Sequence, residues 1–136
     1  MTTATVAYNP MLPLLSRILI GALFLVAGVR KFMFFAGSAG YFAKLGFPAP
    51  EVMTWVAIAV EILGGLLLII GWRTRLVAWV LIIFVAVATG MAHRFWEFPE
   101  AQLQNQLNHF LKNIAIIGGL LMVTAFGPGS ASVDKA

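Results

Sequence analysis

Four long apolar runs divide the chain, at roughly residues 12–35, 52–72, 76–93 and 110–126. Each is close to the ~20 residues that carry a helix across a bilayer. Apolar side chains run on continuously within them and do not alternate with a period of two. The pattern therefore predicts membrane-spanning helices and not barrel strands. The ends of the runs are punctuated. Pro10 and Pro13 stand at the start of the first, Pro48 and Pro50 precede the second, and Gly127-Pro128-Gly129 follows the fourth. Gly71-Trp72-Arg73-Thr74-Arg75 is a tight polar turn that makes the second and third runs an antiparallel hairpin. The expected fold is all-α: a four-helix membrane bundle over residues 12–126, with tails at 1–11 and 127–136. Four crossings place both termini on one side, here side A. The first run is too long for a signal-peptide core and lacks a clear small-residue cleavage site, so it is read as a retained helix.

The two connections on the opposite side, side B, are richer. Residues 37–50 carry Tyr41, Phe42 and Phe47. The second connection carries Phe95, Trp96 and Phe98, then turns amide-rich with Gln102, Gln104, Asn105, Gln106 and Asn108. Aromatic side chains at that depth mark the membrane–water interface, so both connections are expected to hold short interfacial segments.

Composition reaches the same class independently. Hydrophobic residues make up 61% of the 136 positions and charged residues 10%, too little charge to cover a soluble domain of this size. The net charge of +4 is then a topology signal. Side A carries Arg17, Arg73, Arg75 and Lys135. Side B carries Arg30, Lys44 and Arg94, with Lys31 and Lys112 inside apolar runs. The short Arg73-Thr74-Arg75 turn points to a cytoplasmic side A. No basic run with interleaved polar residues exists, which argues against a nucleic-acid partner. The chain has no cysteine, which excludes disulfides, thiolate metal sites and iron–sulfur ligation by its own residues.

Glu61 is the residue that asks for an explanation. It stands mid-run, with no other charge between Glu51 and Arg73. A lone carboxylate in lipid costs several kcal/mol, roughly, and needs a partner, a proton or a cavity. Helical spacing puts polar and small residues on one stripe of each helix. These stripes are Arg17, Gly21, Phe24, Gly28 and Lys31; Thr54, Ala57, Glu61, Gly64 or Gly65, and Leu68; Ala86, Thr89 and His93; and Asn105, His109, Lys112, Ile116 and Gly119, with Asn113 beside Lys112. Gly21, Gly28, Gly64, Gly65, Gly118 and Gly119 are read as helix-packing positions.

Side-chain direction selects the partner of Glu61. Cα–Cβ bonds tilt towards a helix's own N-terminus. Glu61, entering from side B, therefore points back to side B, and Lys31, on a helix that starts at side A, points inward. Lys31–Glu61 is the preferred pair, with His93 as third member and Lys112 and Asn113 extending the cluster. Arg17 points to side A, where its head is expected to snorkel to the interface. Two roles stay open for the cluster: a packing and register device, or a functional polar pocket. His93 and His109 are the only histidines. Their surroundings, including Glu97, match no short metal or haem motif, so no metal ligand set is assigned.

Taken together, these residues resemble the DoxX family of small four-helix membrane proteins. The resemblance runs over nearly the whole chain. It is carried by Arg17-Ile-Leu-Ile-Gly21-Ala-Leu-Phe24-Leu-Val-Ala-Gly28-Val-Arg-Lys31, by Glu61-Ile-Leu-Gly64-Gly65-Leu-Leu-Leu-Ile-Ile-Gly71-Trp-Arg-Thr-Arg75, and by Lys112-Asn113-Ile-Ala-Ile-Ile-Gly118-Gly119 with Phe126-Gly-Pro-Gly129 and the closing Ser132-Val-Asp134. It implies an accessory or quinone-linked subunit of a membrane oxidoreductase assembly in a bacterial inner membrane. It marks Arg17, Lys31, Glu61, His93, Lys112 and Asn113 as the positions to watch. The alternative is a small homo-oligomeric transporter or permeability module that uses Glu61, Lys31 and His93. No self-contained catalytic motif and no cofactor-binding motif is present. A quinone is the ligand such a donor set would suit, and lipid, an oxidoreductase partner or further copies of the chain are the expected neighbours.

Overall fold

The computed structural model describes residues 8–134, and the fold is all-helical. The first seven residues of the N-terminal tail, and Lys135 in the charge comparison, lie outside the described residues. The helices are α1 (Met11–Met33), α2 (Phe35–Lys44), α3 (Pro50–Ile70), α4 (Thr74–Ala92) and α5 (Glu100–Phe126), with a single 3-10 turn at Phe95–Glu97 before α5. Four of them, α1, α3, α4 and α5, are long and apolar enough to cross a membrane.

Local chemistry sets the boundaries. The backbone leaves the helix at Phe34 (φ −115°, ψ 48°), which separates α1 from α2. Pro50 opens α3 where its missing N–H costs nothing. Gly71 closes α3 in the left-handed region (φ 74°), a conformation a side chain would strain. Gly71 and Trp72 both donate to the Leu67 carbonyl.

Two elements refine the expected layout. The short segment expected in the 37–50 connection is helical, as residues up to Lys44 belong to α2. This helix is tied to α3 by Phe35 packing on Trp55 at 4.8 Å. The fourth spanning helix begins at Glu100, ten residues before the apolar run does. Its amide-rich stretch satisfies its own backbone as helix, so loss of hydropathy ends the span without ending the helix. At 27 residues α5 is about 40 Å long, roughly 10 Å more than the hydrocarbon layer.

The core is Phe24, Leu68, Val77, Ala78, Leu81, Ile82, Val85, Leu120 and Val123. It is small because most large apolar side chains, Leu19, Leu63, Ile83 and Met122 among them, face outward, as lipid requires. The helices form an arc, α1 on α3, α3 on α4 and α4 on α5. The α1–α3 contact is the closest. A Cβ on Gly21 would stand 2.7 Å from the Gly65 carbonyl oxygen, and one on Gly65 would stand 2.6 Å from the Gly21 carbonyl oxygen. Gly64 faces Leu81 and Gly119 faces Ile20, whereas Gly118 has open space where a Cβ would go. The expectation that Gly118 packs against a helix is thereby corrected: it lies on the far side of α5 from its neighbours.

Candidate functional site

Lys31 and Glu61 meet inside the arc. Lys31 Nζ donates to both carboxylate oxygens, at 2.8 and 3.0 Å. Gly28, one turn before Lys31, allows this. Its α-carbon faces Glu61 Cβ and the Ile62 backbone so closely that any side chain would push α1 away. The partners are not equally buried. Glu61 has 6% of its side chain exposed and Lys31 has 28%, so Lys31 is the more open of the two.

Lys31 borders a cavity of about 470 Å³ between α1 and α2, and two further cavities, one on each side of the pair, border Glu61 as well. The first of these two, about 340 Å³, lies between α2, α3 and α4. Its walls include Tyr41, Phe42, Phe47, Met53 and Met91, with Phe42 and Phe47 edge to face at 5.4 Å. Its charged wall is Lys31 with Glu61, and His93 stands beside them. The second, about 630 Å³, lies in the crevice between α1 and α5. It is bordered by Lys31, Glu61 and His93 from its inner side, and by Arg30, Lys112 and Asn113. Lys31, Glu61, His93, Phe84 and Ala88 line both cavities and so form the partition between them.

The cluster expected from the sequence is therefore together in space, but its bonding differs. His93 borders the pair, yet the hydrogen bond it makes is to Gln106: Nδ1 lies 2.8 Å from Oε1. With the amide oxygen accepting, Nδ1 is the donor in this bond. His109 does not face the pair. It stacks on His93 with ring centroids 4.9 Å apart. Asn113 donates to the Thr89 hydroxyl at 3.0 Å, and that hydroxyl donates to the Val85 carbonyl. No group of three His, Cys, Asp or Glu side chains is close enough to hold a metal among the described residues.

Arg17 corrects the expectation of snorkelling. It is 1% exposed. Nε donates to the Pro128 carbonyl at 2.9 Å, Nη1 to Leu68 at 3.2 Å and Ile69 at 2.6 Å, and Nη2 to Ala131. Two of these acceptors are last-turn carbonyls of α3, which have no partner within their own helix. Val133 and Asp134 then donate from their backbones to Ile70 and Gly71, so the chain after α5 is laid across the end of α3. The Asp134 carboxylate accepts from the Arg73 and Thr74 amides, each at 2.8 Å, and from the Thr74 hydroxyl at 2.7 Å. It caps the start of α4 in place of a local residue. Desolvation works against this carboxylate, but the Thr74 and Arg73 hydrogen bonds and the charge of Arg17 outweigh it and hold its pKa below the usual carboxylate range.

Several participants were out of reach of pattern reading. Gln106 belongs to a stretch whose polarity reads as a loop. Tyr41, Phe42 and Phe47 carry the signal of interfacial anchors and turn out to wall a cavity. Arg30 reads as an end-of-helix charge and borders the crevice.

Comparison with known proteins follows this geometry. The DoxX family model matches residues 12–94, from α1 to the end of α4. The inner membrane protein YphA of Escherichia coli (strain K12) is 33% identical over 95% of this chain and 92% of its own length. The inner membrane protein YqjF of the same organism is 34% identical over 90% of this chain and 88% of its own. A Bacillus subtilis (strain 168) protein, CatD, whose name marks it provisionally as an oxidoreductase, is 38% identical over 47% of this chain and 46% of its own. No solved structure matches. With the family model spanning more than half its length, and two relatives aligned nearly end to end, this four-helix integral membrane protein belongs to the DoxX family.

Proposed function

We propose that the chain is the membrane subunit of an oxidoreductase assembly and holds a quinone head group between α2, α3 and α4, in a bacterial inner membrane with both termini cytoplasmic. The observation that carries this reading is the 340 Å³ cavity, apolar and aromatic on all sides except where Lys31, Glu61 and His93 meet it. Ligand pockets of about 300–1,000 Å³ with a few convergent polar groups are the usual form of a small-molecule site. A quinone head fits the residues present: Phe42, Phe47 and Tyr41 match a flat apolar ring, and Lys31 can donate to a ring carbonyl. A bound quinone would supply two-electron, two-proton chemistry. Glu61 aims Lys31 through two hydrogen bonds, and His93, with Nδ1 bound to Gln106, stands beside them. The electron-transferring partner is another subunit. The names of the relatives support the reading: two are inner membrane proteins and one is provisionally an oxidoreductase. Arg73 and Arg75 in the short α3–α4 turn support the orientation.

The test is purification in mild detergent followed by mass spectrometry of lipid extract and protein. Quinone and an oxidoreductase polypeptide should co-purify, and Phe42→Ala with Phe47→Ala should deplete the quinone while leaving the protein helical. Recovery as a bare homo-oligomer, free of both, would overturn the reading. Proton-coupled flux in liposomes that vanishes in Glu61→Gln would put a transport module in its place.

A further inference from the structure

The second cavity, between α1 and α5, has a different chemistry from the ring pocket. α1 and α5 are the two ends of the helical arc and do not close it. They touch where Ile20 approaches Gly119, while towards Lys31 the crevice between them stands open. α5 is the least buried of the spanning helices. The floor of the crevice is the Lys31–Glu61 pair, in which the charges already answer each other. Its rim holds two further cations, Arg30 on α1 and Lys112 on α5. Neither has an ion-pair partner among the described residues. Arg30 lies in the last turn of α1, and Lys112 lies where the amide-rich part of α5 gives way to its apolar run, so both stand at the edge of the hydrocarbon. Below Arg30 the α1 wall is apolar, through Val26, Leu23 and Leu19, and Ile116 faces it from α5.

We infer that this crevice is a binding site for an anionic phospholipid. The phosphate sits between Arg30 and Lys112, and an acyl chain lies along Val26, Leu23 and Leu19. Arg30 and Leu19 are eleven residues apart on one helix, about 16 Å, which keeps the whole apolar wall within the depth of a single leaflet. A neutral ring head leaves these two cations unanswered; a headgroup with net negative charge answers them. Basic pockets between spanning helices take anionic headgroups in this manner, and each cation near the membrane surface strengthens such binding several-fold. The crevice is lined from a side of the ion pair opposite to the ring pocket, so the lipid site stands independently of the quinone reading.

The experiment is native mass spectrometry of the full chain from bilayers of mixed phosphatidylglycerol and phosphatidylcholine that also contain ubiquinone. Wild type should retain phosphatidylglycerol in clear preference. Arg30→Gln with Lys112→Gln should lower that retention by about thirty-fold, the loss expected of two such cations, without lowering quinone content. Lys44→Gln with Arg94→Gln, which removes the same charge away from the crevice, should leave it unchanged. Val26→Trp, which fills the crevice without touching a charge, should also displace the lipid. Circular dichroism of each variant confirms that helix content persists. Equal retention of the two lipids by wild type would overturn the site. So would unchanged retention in Arg30→Gln/Lys112→Gln and Val26→Trp, or a lipid-free dimer closed across α1 and α5. Loss of quinone with lipid retained in the double variant would assign the crevice to quinone instead.

Discussion

Replacing Arg17 with alanine should destabilise this protein more than any other single truncation of a charged residue. The side chain is almost wholly buried and serves four backbone carbonyls, on Leu68, Ile69, Pro128 and Ala131. Hydrogen bonds to a charged group contribute about 1.5–3 kcal/mol each, set against several kcal/mol, roughly, for desolvating the ion. Truncation relieves that desolvation. It also orphans two last-turn carbonyls of α3, frees the segment after Pro128 and leaves an arginine-sized void, for a net cost of about 4–5 kcal/mol. Glu61→Ala strands Lys31, but the Lys31 side chain is more than a quarter exposed, and about 3 kcal/mol is expected. The expectation that follows from snorkelling is the opposite order, so the comparison discriminates. Unfolding of both variants in dodecylmaltoside by titration with sodium dodecyl sulfate, followed by circular dichroism, measures it. An Arg17→Ala protein as stable as wild type, or more stable than Glu61→Ala, refutes this anchoring role of Arg17.

Lys31→Met combined with Glu61→Met should cost clearly less than Glu61→Ala, because the pair's desolvation disappears with its attraction; the same unfolding assay reads the difference. Gly65→Ala should cost about 2 kcal/mol by forcing α3 away from the Gly21 carbonyl, while Gly118→Ala should be neutral or slightly stabilising, since its Cβ meets nothing. The Asp134 cap carries a pH signature. Its carboxyl titrates lower when folded, so its contribution is complete above the unfolded pKa of about 4 and is lost as pH falls through the lower folded value. Hydrogen exchange at Val133 and Thr74 should accelerate in that acid range, and Asp134→Asn should show fast exchange at all pH values; an acid-independent wild type would contradict the capping role.

The spans and the central pair were legible for local reasons. A helix in lipid must satisfy its own backbone, so hydropathy over twenty residues reports it directly. The pairing of Lys31 with Glu61 follows from the tilt of side chains along antiparallel helices, which needs no coordinates. Arg17 shows the limit of the same reasoning. Its direction towards the end of the bundle is as the tilt implies, but what waits there is a set of backbone carbonyls, and a carbonyl acceptor leaves no mark in a side-chain pattern. α2 was hidden for a related cause: ten residues between two breaks carry too short a period to separate helix from interfacial loop. Gly64 and Gly118 open identical Gly-Gly-Leu-Leu segments, yet one packs on Leu81 and the other on nothing, because rotation of a helix about its axis is a property of its neighbours.

By itself the sequence determined that this is a four-span membrane helix bundle of DoxX type with a buried carboxylate answered by a lysine, since length, hydropathy and side-chain direction act within one or two helices. Only the tertiary structure decided that the pair is a partition between an aromatic pocket and a basic crevice, that His93 turns to Gln106, and that Arg17 binds the chain after α5 to the end of α3. Each of these depends on where a segment distant in sequence comes to rest, and in an apolar exterior with little charge no local pattern records that.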